Sequence, residues 1–215
     1  MKSIKHILAI VCSLALLFSA AVAQAEAVTM ETARFSTYDM NVNYVYVYAT
    51  REEATAVFGS NLPDVRTETS QATGETVESW VYGDMTLSFN SAGKLIGAEV
   101  YGPAYTGPRG IRLGMTPDEV SGKFYRDPGS ASNYVFYTAG YVEVFESQLP
   151  PCGYVRHNDD GTFSFLYEAP AVPYGDDVIG DPTNYVYQET AALTVTFDQD
   201  GKVARIGWWL GALAE

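Results

Sequence analysis

An internal repeat constrains this chain more tightly than its length does. Thr86–Tyr101 aligns without a gap on Thr194–Trp209, 108 positions later. Each block alternates apolar and polar residues, crosses a polar turn and alternates again, which is the pattern of a β-hairpin. Gly93 and Gly201 hold the same place in the two turns, where a left-handed residue is needed. Leu87 and Phe89 share one face of the first strand, as do Val195 and Phe197 in its copy. Thr86, Ser88, Thr194 and Thr196 point the other way, so the spacing predicts a sheet with one buried face and one open face.

A second matched pair precedes the hairpins. Thr50–Phe58 and Thr116–Phe124 read as short helices, each opening with a capping box: Thr50 with Glu53, and Thr116 with Glu119. Pro117 suits the first helical position. Ala54, Val57 and Phe58 form an apolar stripe, which Val120 and Phe124 repeat. Helices of about two turns do not stand alone, so both are expected to lie against a sheet. The helices are 66 positions apart and the hairpins 108, which leaves 42 extra residues inside the second unit. In that excess, Tyr141–Glu146 and Phe163–Glu168 read as strands. Pro170, Pro173, Gly175, Gly180 and Pro182 mark an irregular acidic loop. Tyr44–Tyr48 reads as a strand with tyrosines on one face and valines on the other. The expected fold class is therefore α+β: two tandem repeats, each a short helical segment packed on an antiparallel β-sheet with an open face. The units span about 28–105 and 106–215, and the inserted segment about 126–183.

The first 25 residues read as a secretory signal peptide. Lys2 and Lys5 precede an apolar run, Ile7–Phe18, and small-x-small cleavage sites follow at Ala21–Ala25. Cys12 follows Val11 rather than a small residue, which argues against a lipid anchor. Export to the cell envelope or beyond is the expectation, with no membrane span in the mature chain. Removing the leader leaves 190 residues and takes the net charge from −13 to −15. So acidic a chain repels nucleic-acid phosphates and anionic membrane surfaces. Its 16 tyrosines and 13% aromatic content exclude disorder and coiled coil, and indicate an acidic, tyrosine-rich globular protein.

Ile111-Arg-Leu-Gly-Met-Thr-Pro-Asp-Glu-Val120 resembles the helix entry of the small outer-membrane assembly lipoproteins of the SmpA/OmlA type. Met85–Leu95 is similar to their penultimate hairpin. Tandem copies of such a unit resemble the β-lactamase-inhibitor-protein fold, and that resemblance implies open sheet faces that bind a partner protein. These motifs cover about 50 residues, and they are structural ones without catalytic groups. The lipobox cysteine of the lipoproteins is missing here.

No catalytic constellation is recognisable. His157 is the one histidine beyond the leader and reads as a solvated loop residue; no nucleophile-elbow pattern accompanies it. Cys152, in Pro150-Pro151-Cys152-Gly153, reads as an inert unpaired thiol. Asp198-x-Asp200-Gly201 suggests a calcium loop, but its counterpart Asn90-x-Ala92-Gly93 lacks the acids, so the turn is the shared element. Asp159, Asp160, Asp176, Asp177 and Asp181 read as solvated loop acids. No cofactor or metal is expected. The candidate binding residues are Tyr101 and Trp209, at matching ends of the two hairpins, with Tyr44, Tyr46 and Tyr48 on the same aromatic face. Ile96, Ala98, Val100, Ala204, Ile206 and Trp208 are assigned to the buried face. The expected function is protein binding by an exported, non-enzymatic module, with an extracellular or envelope protein as partner. Binding or processing of carbohydrate is the alternative, because tyrosine and tryptophan also stack on sugar rings.

Overall fold

The computed structural model describes residues 33–59, 64–69, 76–130, 134–142, 147–171 and 190–211. It is built around one nine-stranded antiparallel sheet. In chain order its strands are β3 (Asp64–Thr69), β4 (Thr76–Val81), β5 (Met85–Phe89), β6 (Leu95–Val100), β7 (Val135–Tyr137), β10 (Cys152–His157), β11 (Phe163–Pro170), β12 (Thr190–Phe197) and β13 (Val203–Gly211). Their order across the sheet is β3-β4-β5-β6-β13-β12-β11-β10-β7. Two short hairpins stand apart from it: β1 (Asn41–Val42) with β2 (Val45–Tyr46), and β8 (Gly140–Val142) with β9 (Ser147–Leu149). The α-helices among the described residues are α1 (Arg51–Phe58) and α2 (Pro117–Ser121).

This overturns the α+β expectation. The described chain is mainly β, and its two repeats do not each carry a helix on a sheet of their own. The reason lies in the edges. A hairpin alone leaves a row of unpaired backbone groups on its outer strand. Here β6 and β13, the second strands of the two repeated hairpins, satisfy each other, and the two sheets become one. The helices are too short to cover that sheet. Ser121 and Gly122 end α2 well before Phe124, since glycine disfavours the helix interior. Within α1, Ala54 is buried as expected, but Val57 is exposed.

Both capping boxes form. The Thr50 amide donates to Glu53 Oε2 at 2.7 Å and the Glu53 amide returns a bond to Thr50 Oγ1 at 3.2 Å. Thr116 and Glu119 repeat this at 2.7 and 3.3 Å. The repeat extends to the backbone in front of each helix. The Tyr48 amide donates to the Leu95 carbonyl and Leu95 answers to Ala49; the Gly114 amide donates to Val203 and Val203 answers to Met115. Tyr48 therefore stands where the second copy has Gly114, and both have positive φ, 66° and 83°. The predicted strand Tyr44–Tyr48 shrinks to β2, Val45–Tyr46, for this reason. Tyr44 belongs to a tight hairpin tip with Asn43, both at positive φ, and Tyr48 to a helix entry.

The hairpin turns also match. Gly93 and Gly201 have φ of 71° and 70°, and the side chains of Asn90 and Asp198 accept from the amides of Lys94 and Lys202 at 2.9 and 2.8 Å. Each hairpin slips register after the same residue, Ser88 or Thr196. The extra residues are thus Ile96 and Ala204, which is why Ala204 is exposed rather than in the core.

The buried face of the sheet carries Leu87, Phe89, Ala98, Val100, Leu193, Val195, Tyr167, Ile206 and Trp208. Residues 33–48, the loop after β6 and the residues around α2 cover it, held by Arg109. Its five guanidinium N–H groups meet five acceptors: both Asp39 carboxylate oxygens at 2.8 Å, and the carbonyls of Ala33, Lys123 and Arg34 at 2.7, 2.6 and 2.9 Å. The guanidinium also lies 4.5 Å from the Phe124 ring centre, and Phe124 stacks on Tyr167 of the sheet at 4.0 Å. Two sheet residues complete the attachment: the Phe35 amide donates to the Tyr137 hydroxyl at 3.0 Å, and Trp208 Nε1 donates to the Asn41 carbonyl at 3.1 Å. Arg109→Ala is expected to cost about 3 kcal/mol in urea denaturation, because it leaves a mostly buried carboxylate and three carbonyls without their donor. Arg109→Lys should recover less than half of this, since an ammonium cannot reach acceptors arranged around a planar fork.

Candidate functional site

The centre of the sheet has a local two-fold relation. Ile206 pairs with Val100 and Trp208 with Ala98, and moving β13 back by the 108-residue offset turns each pair into the other. Gly207 opposite Glu99 is the centre of this relation. Trp209 and Tyr101 are therefore symmetry mates. They follow Trp208 and Val100, which are buried, and so belong to the opposite, open side. Trp209 is 40% exposed and Tyr101 39%.

The floor between them is made of small and polar residues. Ser79, Thr86, Ser88, Ala192, Thr194 and Gly207 line a cavity of about 320 Å³ with Trp209 and Glu99. Glu99 pairs with Arg205 across the β6–β13 junction. The Tyr101 hydroxyl lies 3.2 Å from Thr86 Oγ1. Gly97, opposite Trp209, is what lets the indole lie down: a Cβ there would collide with the six-membered ring, and one at Gly211 would collide with Nε1.

Tyr44, Tyr46 and Tyr48 are not on this face. The hairpin β1–β2 packs over the buried side of the sheet, with Val42 and Val45 in the core. Tyr44 and Tyr46 point away from that core and line another cavity. Tyr48 packs against the core at the entry to α1. The single aromatic face expected from the sequence is thus divided between two sides of the molecule. Alternation in Tyr44–Tyr48 carried no information about which side of the sheet the segment would cover.

Cys152 lies on β10 rather than in a turn, and it is buried. Its thiol faces Glu168 Oε2 at 3.6 Å, and the Tyr154 hydroxyl donates to Glu168 Oε1 at 3.3 Å. Burial, reinforced by the Glu168 charge, pushes the thiol far up and keeps it protonated. His157 ends β10, exposed, with its ring 5.6 Å from Tyr134 and 6.2 Å from Phe163. In the calcium-like turn, Asp198 Oδ1 accepts from the amides of Asp200 and Lys202, so its side chain closes the turn as Asn90 does in the first copy. Asp159 and Asp160 sit exposed in the β10–β11 turn, where Asp160 accepts from Thr162. Asp176, Asp177, Asp181 and the expected leader, Met1–Ala25, lie outside the described residues. Among the described residues no group of three or more His, Cys, Asp or Glu converges, and no helix is long and apolar enough to cross a membrane. Sequence reasoning missed Arg109, Asp39, Gly97 and Glu168. The contacts that join Arg109 to Asp39 and Lys123, Glu168 to Cys152 and Tyr154, and Gly97 to Trp209 span 14 to 112 positions; the local signal is the Ser36–Asp39 capping box, in which the Ser36 amide donates to Asp39 Oδ2 at 2.8 Å.

Two expectations follow. Gly97→Val should lift the Trp209 indole into water, seen as a red shift of tryptophan emission, at a cost of about 1–2 kcal/mol for the lost contact. Burial raises the Glu168 carboxyl above its ordinary value, by more than the Cys152 and Tyr154 hydrogen bonds lower it. A group easier to protonate in the folded state stabilises it fully below the unfolded pKa, and that contribution is lost as pH rises through the folded value. Glu168→Gln should therefore be more stable than the parent near pH 7 and lose that advantage at about pH 4. Equal differences at both pH values would contradict this. No protein-family model matches the chain, and neither does any curated protein or solved structure.

Proposed function

We propose that this chain is an exported binding protein that takes a protein partner on the open face of β4, β5, β6, β13 and β12. The observation that carries the reading is the pair Trp209 and Tyr101, both half-exposed on one side of the sheet and related by its local two-fold. Large, stiff aromatic side chains anchor interfaces because they contribute much contact area for little lost rotamer freedom. Between them lies a floor of serine, threonine, alanine and glycine, low enough for a partner's side chains to approach the sheet. Glu99 and Arg205 supply polar contacts beside it. The net charge, −15 without Lys2 and Lys5 of the leader, favours encounter with a basic partner surface. Export is supported by the leader pattern of Met1–Ala25, and the open-face mode of binding by the resemblance to the β-lactamase-inhibitor-protein fold.

The test uses the protein without its leader as bait in the culture fluid of its own host, followed by affinity measurement with the purified partner. Trp209→Ala and Tyr101→Ala should each weaken binding at least about 30-fold, the size expected of a central anchor. Circular dichroism and melting temperature should stay close to those of the parent. A partner bound equally well by both variants would overturn the reading.

A further inference from the structure

The other side of the molecule carries a second cavity, of about 400 Å³, at the tip of the β1–β2 hairpin. Val42 and Val45 anchor that hairpin in the core, which sends Tyr44 and Tyr46 outward. Tyr44 is 81% exposed, Tyr46 48% and the neighbouring Tyr38 78%. Three rings of this size so open to water, around one cavity, are unusual, because aromatic side chains are normally well covered.

The backbone beneath them is strained. Asn43 and Tyr44 occupy the two turn positions at φ 46° and 65°. Asparagine tolerates the first; the second is ordinarily glycine, and a bulky side chain there is unfavourable. The tip is nonetheless held, since the Asn43 amide donates to the Thr106 carbonyl at 2.8 Å and the Thr106 amide donates to Asn43 Oδ1 at 2.8 Å. Glycine would relieve the strain at Tyr44, and its ring, unlike that of Tyr48, does not pack against the core, so contact with a ligand accounts for its retention.

The polar lining selects the ligand's chemistry. The cavity's two charged residues, Asp39 and Arg109, neutralise each other, and every N–H of the guanidinium is already used. What faces outward is neutral: Nδ2 of Asn43, the side-chain carbonyl of Asn41 and the hydroxyls of Tyr38, Tyr44 and Tyr46, none hydrogen-bonded among the described residues. Asn41 Nδ2 is spent on the Asp39 carbonyl at 2.8 Å. Neutral donors and acceptors beside aromatic faces match a sugar ring, which offers hydroxyls at its rim and C–H groups on its faces. The acidic chain disfavours anionic ligands. The volume is that of a small-ligand pocket.

We propose that this cavity, framed by Tyr38, Tyr44 and Tyr46 with Asn41 and Asn43, is a binding site for a neutral oligosaccharide. It is on the opposite side of the sheet from Trp209, so it can be filled while the open face holds a protein. Isothermal titration of the leaderless protein with cello-, chito-, malto- and manno-oligosaccharides, and with an acidic uronate oligosaccharide as control, tests it. At least one neutral probe should bind, and Tyr44→Gly should weaken it at least about tenfold without lowering the melting temperature. Tyr46→Ala should weaken it likewise, whereas Trp209→Ala should leave it unchanged. The proposal is overturned if no neutral probe binds at about 10 mM, if only the uronate binds, or if affinity depends on Trp209 and not on the tyrosines. Protection of these tyrosines by a protein partner, with no sugar bound, would overturn it too.

Discussion

The arginine at position 109 is the interaction on which the cover of the sheet depends. Its guanidinium gathers three backbone carbonyls and one carboxylate from segments that have no strand pairing with one another. Such segments lack the regular ladder that normally satisfies backbone groups, so a planar cation with five donors replaces it. The residue itself sits at φ 52° in the Pro108–Gly110 turn, directing its side chain back under the chain rather than into solvent. The Phe124 ring then links this polar knot to the tyrosine stack of the sheet.

The second constraint is the edge of a hairpin. Two copies of a hairpin with an unpaired outer strand have a simple way to bury both edges, which is to pair them. Antiparallel pairing of identical strands is self-complementary, much as a two-fold interface between subunits is. The β6–β13 junction has that form within one chain. It places the repeat-related aromatics Tyr101 and Trp209 on one side, and it replaces two small sheets by a single broad one. Helices of eight and five residues have no need to cover so wide a surface when irregular segments do so.

How much of this was legible depends on the distance between interacting residues. The capping boxes of Thr50 and Thr116 and the turns at Gly93 and Gly201 involve atoms within four positions of each other, and all were read correctly. The alternation that put Leu87, Phe89, Val195 and Phe197 in the core was equally local. The bulges were not visible, and one of them moved Ala204 out of the expected core set. Alternation also misled at Tyr44–Tyr48, because turn and helix-entry geometry place tyrosines at positive φ where composition suggests β-structure. For the candidate sites, Tyr101 and Trp209 were found by repeat alignment, whereas nothing in the sequence marked Gly97 as the seat of the indole.

The sequence by itself determined the two repeated hairpins, their turns, the two helix starts and the phase of β5 and β12, because neighbouring residues supply those hydrogen bonds and the period-two burial. Only the tertiary structure decided that β6 meets β13, that Arg109 meets Asp39, and that the aromatic residues divide between two sides of the molecule. Those contacts join positions about 70 to 110 apart, and their selection rests on which edges and buried charges must find partners once the whole chain is collapsed.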